Sequence, residues 1–215
     1  MPPIRLAVFD IDGTLRRVRS PWWLLHEHLG LAEAARGYAP MFERGEISYA
    51  EWAALDAALW RGRSREEIAG ALASNPLRAG AGELLAYLRG RGIVCVAVST
   101  GLDVFAEPTA EALGLAEVVC NRLLFDGDRC RGEVEVRVTE EGKAAALAEV
   151  LRRRGVEAEE VVAFGDGPAD VPVLRAAGLG VAVCPADPAV RAAADCVVED
   201  EPIDRIVAEL RRRGV

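Results

Sequence analysis

The chain has 215 residues, a formal net charge of −8 and a hydrophobic content of 51%, which suffice for one globular domain with a sizeable insertion. The acidic balance gives no attraction to nucleic-acid backbones or anionic lipid, so we expect neither nucleic acid nor membrane as a partner. No apolar run reaches the roughly 18 residues that cross a bilayer, and MPPIRLAVFD leads directly into a strand without a signal peptide. We therefore expect a cytoplasmic protein.

Short apolar segments predict buried strands that alternate with helical patterns, at residues 4–9, 93–98, 118–120, 161–164, 180–183 and 196–198. Segments that are apolar at nearly every position are typical of strands covered on both faces, as in a parallel sheet with crossover helices. The sequence therefore predicts an α/β fold with a Rossmann-like, doubly wound parallel sheet. In such sheets the chemistry gathers at the carboxyl ends of the strands.

The connection between the first two predicted strands is far longer than a crossover needs. Residues 16–76 carry aromatic and aliphatic side chains at helical spacing, Trp22 and Trp52 among them, with little strand pattern. We expect a small helical cap there, inserted into a core formed by residues 1–15 and 77–215. Farther on, the alternation in EVEVRV and the turn-like DGD predict a β-hairpin within residues 121–139.

Two acidic pairs follow predicted strands. Asp10 and Asp12 come directly after the first strand, and Asp166 and Asp170 follow the strand VVAF. If these strands are neighbours, four carboxylates converge, and their repulsion requires protonation or a cation. An all-oxygen site without histidine or cysteine suits Mg²⁺. The structural alternative is that these residues only cap helices and form turns.

Two further features suit a phosphate ligand. Ser99, Thr100 and Gly101 follow the second predicted strand, where backbone amides could cradle an anion, although an ordinary helix cap is an alternative. Pro108 suggests that the next regular helix begins only near that residue. Lys143 is the only lysine of the chain and opens the helix KAAALAEVL, an end that disfavours a cation. It is a candidate ligand of a phosphoryl oxygen, unless it simply lies on a solvated face.

Taken together, DIDGT at 10–14, VSTG at 98–101, Lys143 and GDGPAD at 165–170 resemble the motifs of the haloacid dehalogenase superfamily. Within it the chain resembles the phosphoserine-phosphatase-like branch with a helical cap, over nearly its whole length. The resemblance implies a Mg²⁺-dependent phosphatase that hydrolyses a small phosphomonoester through an aspartyl phosphate.

The resemblance also implies a role for each motif residue. Asp10 attacks phosphorus, and Asp12 protonates the leaving oxygen and then activates the hydrolytic water. The other roles are Mg²⁺ binding by Asp10, Asp166 and the backbone carbonyl of Asp12, support by Asp170, and phosphoryl binding by Ser99, Lys143 and the amides near Thr100 and Gly101.

The chain departs from this branch at positions that concern the substrate. Phosphoserine phosphatases usually carry serine where Gly13 stands and asparagine where Ala169 stands. In those enzymes a cap glutamate and a cap arginine hold the amino and carboxylate groups of serine. At the corresponding places this chain offers Arg19 or Ser20 for the glutamate and Asp56 for the arginine, which reverses the charge pattern. Phosphoserine should then bind poorly, and phosphoglycolate and glycerol phosphate are alternative substrates. We expect one arginine of the cluster after the first motif to meet an anionic part of the substrate, namely Arg16, Arg17 or Arg19.

Two other functions are compatible with the same nucleophile. Dehalogenation is disfavoured because Asp12 supplies an acid that halide departure does not need. A non-catalytic phosphate-sensing module is disfavoured by the cap and by Asp12. For the assembly we expect a monomer or a homodimer.

Overall fold

The computed structural model describes residues 2–215, within which seven strands form one sheet in the order β4-β3-β2-β1-β5-β6-β7. Neighbouring strands are parallel except in the β3–β4 hairpin. The predicted α/β fold is therefore confirmed. The strands are Leu6–Phe9 (β1), Val94–Leu102 (β2), Glu117–Asp126 (β3), Arg129–Glu135 (β4), Val161–Gly165 (β5), Leu179–Val183 (β6) and Cys196–Val198 (β7).

The helices cover both faces of this sheet and fill the long connection after β1. Within residues 2–215 no helix is both long and apolar enough to pass through a bilayer. The α-helices are Pro21–His28 (α1), Ala32–Ala35 (α2), Tyr38–Glu43 (α3), Tyr49–Leu59 (α4), Arg65–Gly70 (α5), Ala81–Gly90 (α6), Asp103–Leu113 (α7), Lys143–Arg154 (α8), Val171–Ala176 (α9), Pro188–Ala193 (α10) and Ile206–Arg212 (α11).

Successive residues of β1 enter different hydrophobic clusters. Ala7 and Phe9 pack on one face of the sheet, together with the leucines of α6. Leu6 and Val8 pack on the other face, together with Leu147 of α8. Because side chains alternate across a strand, a strand that is apolar at every position must be covered on both faces, which is the reason the sheet is doubly wound.

The chain order of the strands reverses beside β1. From β1 the chain adds β2, β3 and β4 on one side, and then returns to add β5, β6 and β7 on the other. The carboxyl ends of β1 and β5 are therefore neighbours, and the amide of Asp10 donates to the carbonyl of Phe164 at 2.9 Å. Such a reversal leaves a crevice at the carboxyl edge of the sheet, where ligands of open α/β folds bind.

Two local expectations need correction. Strand β2 includes Ser99, Thr100 and Gly101, which lie where its pairing with β3 shifts register between Val98 and Leu102. Helix α7 begins at Asp103, so that Pro108 lies inside it. The interior proline removes one backbone hydrogen bond, and the burial of the apolar face of α7 offsets that loss.

The helices between β1 and α6 have their own core, which extends onto the hairpin. Trp22, Trp60 and Ile68 pack together with Leu123 and Cys130 of the hairpin strands. The backbone joins them as well, because Gly62 donates to the carbonyl of Cys130 and Cys130 donates to that of Arg63. The β3–β4 hairpin therefore packs against the cap helices. The domain limits at residues 16 and 76 stay a prediction.

Candidate active site

Three carboxylates meet at the carboxyl edge of the sheet. Asp10 follows β1, Asp166 follows β5, and Asp170 ends a short 3₁₀ helix that begins at Pro168. All three are buried, and one oxygen of each lies within 4.8 Å of the others. Since the two strands are parallel neighbours, the sheet itself brings these acids together.

Lys143 is buried among these acids. Its Nζ lies 2.5 Å from Oδ1 of Asp10 and 2.6 Å from Oδ1 of Asp170. It is the first residue of α8, as its place in the sequence predicted. The solvated-face alternative for this lysine is therefore wrong.

Asp170 also shapes the turn that carries Asp166. Its Oδ2 accepts hydrogen bonds from the amides of Asp166 and Gly167, each at 3.1 Å. A Cβ at Gly165 would overlap the Asp170 side chain, so glycine is required where β5 ends. The turn residues therefore hold the acid pair in a fixed arrangement.

Asp12 lies on the β2 side of this cluster. Ser99 Oγ donates to Asp12 Oδ2 at 3.2 Å and accepts from the amide of Gly101 at 2.9 Å. A Cβ at Gly101 would overlap Asp12 Oδ2. The other oxygen, Oδ1, is buried and accepts no hydrogen bond from residues 2–215. Asp12 therefore keeps one oxygen available to a reacting group.

Two contacts of Asp166 escaped the sequence analysis. Thr14 Oγ1 donates to Asp166 Oδ1 at 3.0 Å, and Arg19 Nε donates to Asp166 Oδ2 at 2.8 Å. Gly13 adopts a φ of +90°, and a Cβ there would overlap the Asp166 carboxylate. Thr14 is the last residue of the DIDGT motif, so the motif itself was the signal that could have identified it.

The three arginines predicted to meet an anionic part of the substrate separate in space. Arg16 is buried and donates to Thr109 Oγ1 and to the carbonyl of Asn75. Arg17 forms a two-pronged pair with Glu201 at 2.9 and 2.6 Å. Both guanidiniums are engaged by acceptors of the chain itself, which argues against a substrate role for them. Arg19 is engaged as well, by Asp166 and the carbonyl of Cys184, but it alone of the three contacts an acid of the cluster, so the prediction stays open for it.

Burial and neighbouring charges shift the pKa values of the acids and of Lys143. Burial raises the pKa of Asp10 well above its ordinary value, and the Lys143 ammonium offsets this rise only in part. Burial, followed by the charge of Asp170, also raises the pKa of Asp166, although Arg19 and Thr14 oppose the rise. Burial alone would lower the pKa of Lys143, but the carboxylates of Asp10 and Asp170 hold it above the ordinary value. Lys143 therefore remains a cation.

The carboxyl group of Asp12 is perturbed by its surroundings as well. Burial raises the pKa of Asp12 from 3.8 to about 7, against the lowering effect of the Ser99 hydrogen bond and of the Lys143 charge. A carboxyl group with a pKa in this range can donate a proton and accept one near neutral pH. The side chain is therefore suited to general acid–base chemistry.

The donor set fits a hard divalent cation. The acids Asp10, Asp166 and Asp170 supply only oxygen atoms, and the Lys143 cation leaves part of their negative charge uncompensated. Mg²⁺ is usually held by one or two carboxylates together with water and substrate phosphate. Burial raises the pKa values of Asp10 and Asp166, and the repulsion from neighbouring acids, which a bound cation would offset, adds to the rise.

The carbonyl of Thr100 links the acids to the cap. It accepts hydrogen bonds from Trp22 Nε1 at 3.2 Å, from the Tyr49 hydroxyl at 3.1 Å and from Asn121 Nδ2 at 2.9 Å. Beside it lies a cavity of about 200 Å³, which we call the aromatic cavity; its lining residues are Arg19, Ser20, Pro21, Trp22, Tyr49, Trp52, Ala53, Thr100 and Glu140.

Asp56 does not face this cavity. It is buried in the cap with Oδ1 2.9 Å from His26 Nε2, and Trp60 Nε1 donates to His26 Nδ1 at 3.2 Å. The expectation that Asp56 is offered to the substrate is therefore wrong, because its carboxylate serves the cap core.

Comparison with known proteins identifies the family. A model of the haloacid dehalogenase-like hydrolases matches residues 7–175. The phosphoserine phosphatase of Methanocaldococcus jannaschii is 27% identical over 96% of this chain and 98% of its own length. That of Halobacterium salinarum is 33% identical over 84% of this chain and 86% of its own length.

A solved structure described as a phospho-aspartyl intermediate analogue of phosphoserine phosphatase superposes with a TM-score of 0.81 and 26% identity. The match covers 96% of this chain and 99% of that one. These similarities confirm the predicted superfamily and the prediction of a phosphatase. The chain belongs to the haloacid dehalogenase-like hydrolases, in their phosphoserine-phosphatase-like branch.

Proposed function

We propose that this chain removes phosphate from a small phosphomonoester through a covalent intermediate on Asp10. The observation that carries the proposal is the buried cluster of Asp10, Asp166 and Asp170, in which the Lys143 ammonium contacts Asp10 and Asp170. A site with this much oxygen-borne negative charge binds a phosphoryl group only when cations accompany it, and phosphoryl transfer depends mainly on such positioned charge.

Asp10 is the proposed nucleophile. Its carboxylate oxygen attacks phosphorus, the bond from phosphorus to the ester oxygen breaks, and the alcohol departs. Lys143 favours the ionised form of Asp10 that attack requires, since its Nζ contacts Oδ1. The name of the phospho-aspartyl structure that resembles this chain supports the same intermediate.

Asp12 is the proposed acid and base. In the first half of the reaction it gives its proton to the departing ester oxygen. In the second half it takes a proton from the water that hydrolyses the aspartyl phosphate. Its pKa of about 7, and its Oδ1 that accepts no hydrogen bond from residues 2–215, support both roles.

Mg²⁺ is the proposed cofactor. Asp10, Asp166 and the backbone carbonyl of Asp12 would hold it, and Asp170 would support the site by anchoring Lys143 and the turn at Asp166. When bound, the ion supplies positive charge that draws the phosphoryl oxygens and neutralises the acids.

Lys143 and Ser99 are the proposed ligands of the phosphoryl oxygens, assisted by the backbone near Thr100 and Gly101. The Gly101 amide donates to Ser99 Oγ, so it supports Ser99 as a positioning group. Arg19 is a further candidate for an anionic part of the substrate, because it reaches Asp166 and also lines the aromatic cavity. The anionic part that we propose for Arg19 is the phosphoryl group.

The test is phosphate release from a generic aryl phosphate with and without Mg²⁺. We expect Mg²⁺-dependent release that is lost in Asp10→Asn. A matched control is Asp128→Asn, since Asp128 is an exposed residue of the hairpin turn. Full activity of Asp10→Asn would overturn the mechanism.

A further inference from the structure

The aromatic cavity indicates which alcohol the substrate carries. We propose that it binds the leaving alcohol of the phosphomonoester, and that this alcohol presents an uncharged, ring-sized apolar group. The inference rests on the proposed phosphatase activity and adds the chemical class of the substrate.

The position of the cavity supports a role in binding the alcohol. Thr100 lines it and directly follows Ser99, which bonds to Asp12, the proposed donor to the departing oxygen. Arg19 lines it as well and bonds to Asp166. The cavity is therefore next to the reacting centre, on the side of the acid that protonates the leaving oxygen.

Three aromatic rings of the cavity wall are held in place, beside polar lining residues that include Arg19 and Glu140. Trp22 and Tyr49 both donate their polar hydrogen to the Thr100 carbonyl, which leaves their rings as hydrocarbon surface. Trp52 stacks on Phe42 with ring centroids 5.0 Å apart and meets Tyr49 at 75°. Rings that are already ordered lose little entropy when they receive a ligand, and they pair best with another ring or an apolar group.

Of the two charged residues that line the cavity, the arginine is engaged within the protein. These charged residues are Arg19 and Glu140, which have opposite signs. Arg19 is already bonded to Asp166 and to the carbonyl of Cys184, and Asp56 is turned toward His26. A compact zwitterion such as serine would meet Glu140 with its ammonium group, but its carboxylate would lose hydration without an unengaged cation of the lining to receive it.

The size of the cavity agrees with one ring. Its volume is about 200 Å³, and an apolar protein cavity of about 150 Å³ can hold benzene. A substrate of ring size would fill the space, whereas an ethyl group would leave most of it unfilled.

The experiment compares 2-phenylethyl phosphate with ethyl phosphate, two alkyl esters that differ in the ring and little in the leaving oxygen. With Mg²⁺ we expect kcat/KM to favour the phenyl ester by about tenfold or more. Trp52→Ala should lower that ratio by about tenfold, and Trp52→Phe should retain most of it. The matched control is Trp23→Ala, since Trp23 is 39% exposed and does not line the cavity.

The outcomes separate the two proposals. Equal kcat/KM for both esters in the wild-type protein, or an unchanged ratio in a folded Trp52→Ala, would overturn the inference while the phosphatase proposal stands. Preferred hydrolysis of phosphoserine or phosphoglycolate over the phenyl ester would overturn it too. No release from either ester or from the generic aryl phosphate would overturn both.

Discussion

The ammonium nitrogen of Lys143 lies 2.5 Å from Oδ1 of Asp10, and both side chains are buried. A buried cation between carboxylates stabilises their ionised forms and is costly to remove, because each group would then be left as an unpaired charge. The pair thus links the only lysine of the chain to the residue proposed as nucleophile.

Removal of this ammonium group should impair catalysis. We expect Lys143→Met to lower kcat by about 10²-fold or more, the usual cost of losing one preorganised charge at a reacting centre. Lys143→Arg should restore little activity, since the broader guanidinium fork does not fit a site shaped for a point charge. Steady-state kinetics on an aryl phosphate measures both, and near-normal activity in Lys143→Met would remove this residue from the mechanism.

The pKa of Asp12 predicts how activity depends on pH and on the leaving group. Asp12 is protonated below its pKa of about 7, so kcat/KM for an alkyl phosphate should fall as the pH rises through the pKa. With Mg²⁺ bound, the fall should occur at a lower pH, because a nearby cation favours the ionised carboxylate. An aryl phosphate, whose leaving oxygen needs less protonation, should show a weaker fall. Asp12→Asn should therefore harm hydrolysis of the alkyl ester more. Equal pH profiles for the two esters would contradict the acid role.

The same pKa shift predicts a pH-dependent stability of the metal-free protein. In the folded state Asp12 holds its proton up to about pH 7, whereas the unfolded carboxyl group loses it near 3.8. Below pH 3.8 the raised pKa of Asp12 contributes roughly 4 kcal/mol to the free energy of unfolding. This contribution is lost as the pH rises through the folded-state pKa of about 7. Urea unfolding in a chelator should show this loss, which Asp12→Asn should reduce. Mg²⁺ should restore stability at alkaline pH. A metal-free protein that gains stability over this pH range would refute the prediction.

Gly101 should tolerate no side chain. A Cβ there would overlap Asp12 and approach Ser99, so Gly101→Ala should lower kcat by about tenfold or more by displacing the proposed acid. The control is Gly82→Ala, near the start of α6, where a Cβ meets open space and activity should be unchanged. Kinetics together with thermal unfolding of both variants tests this.

The cap depends on a buried polar contact. Asp56→Ala leaves His26 without its carboxylate partner and should destabilise the protein by about 3 kcal/mol. Asp56→Asn, which keeps an acceptor, should cost less. Denaturant unfolding of the two variants measures the difference, and equal stability of Asp56→Ala and the wild type would show that the contact contributes nothing.

The sequence was sufficient to predict those parts of the fold and of the site that depend on strand order and residue type. Asp10 and Asp166 each follow an apolar strand, and parallel neighbours end at the same edge, so their convergence could be foreseen once β1 and β5 pair. Lys143 stood out because it is the only lysine and occupies an unfavourable end of a helix.

The contacts of long polar side chains could not be foreseen. Arg16, Arg17 and Arg19 are nearly adjacent in sequence, yet they bond to Thr109, Glu201 and Asp166 respectively. Each partner is more than 90 residues away, so no local pattern encodes the choice. The helix through Pro108 was likewise decided by tertiary burial and not by local preference.

The most direct test of the central claim is chemical trapping of the covalent intermediate. Reaction with substrate and Mg²⁺, followed by borohydride reduction of the acyl phosphate and peptide mass spectrometry, should convert residue 10 to homoserine, and omission of Mg²⁺ should abolish the change. Modification at another carboxylate, or Mg²⁺-dependent turnover that leaves Asp10 unmodified, would contradict the account.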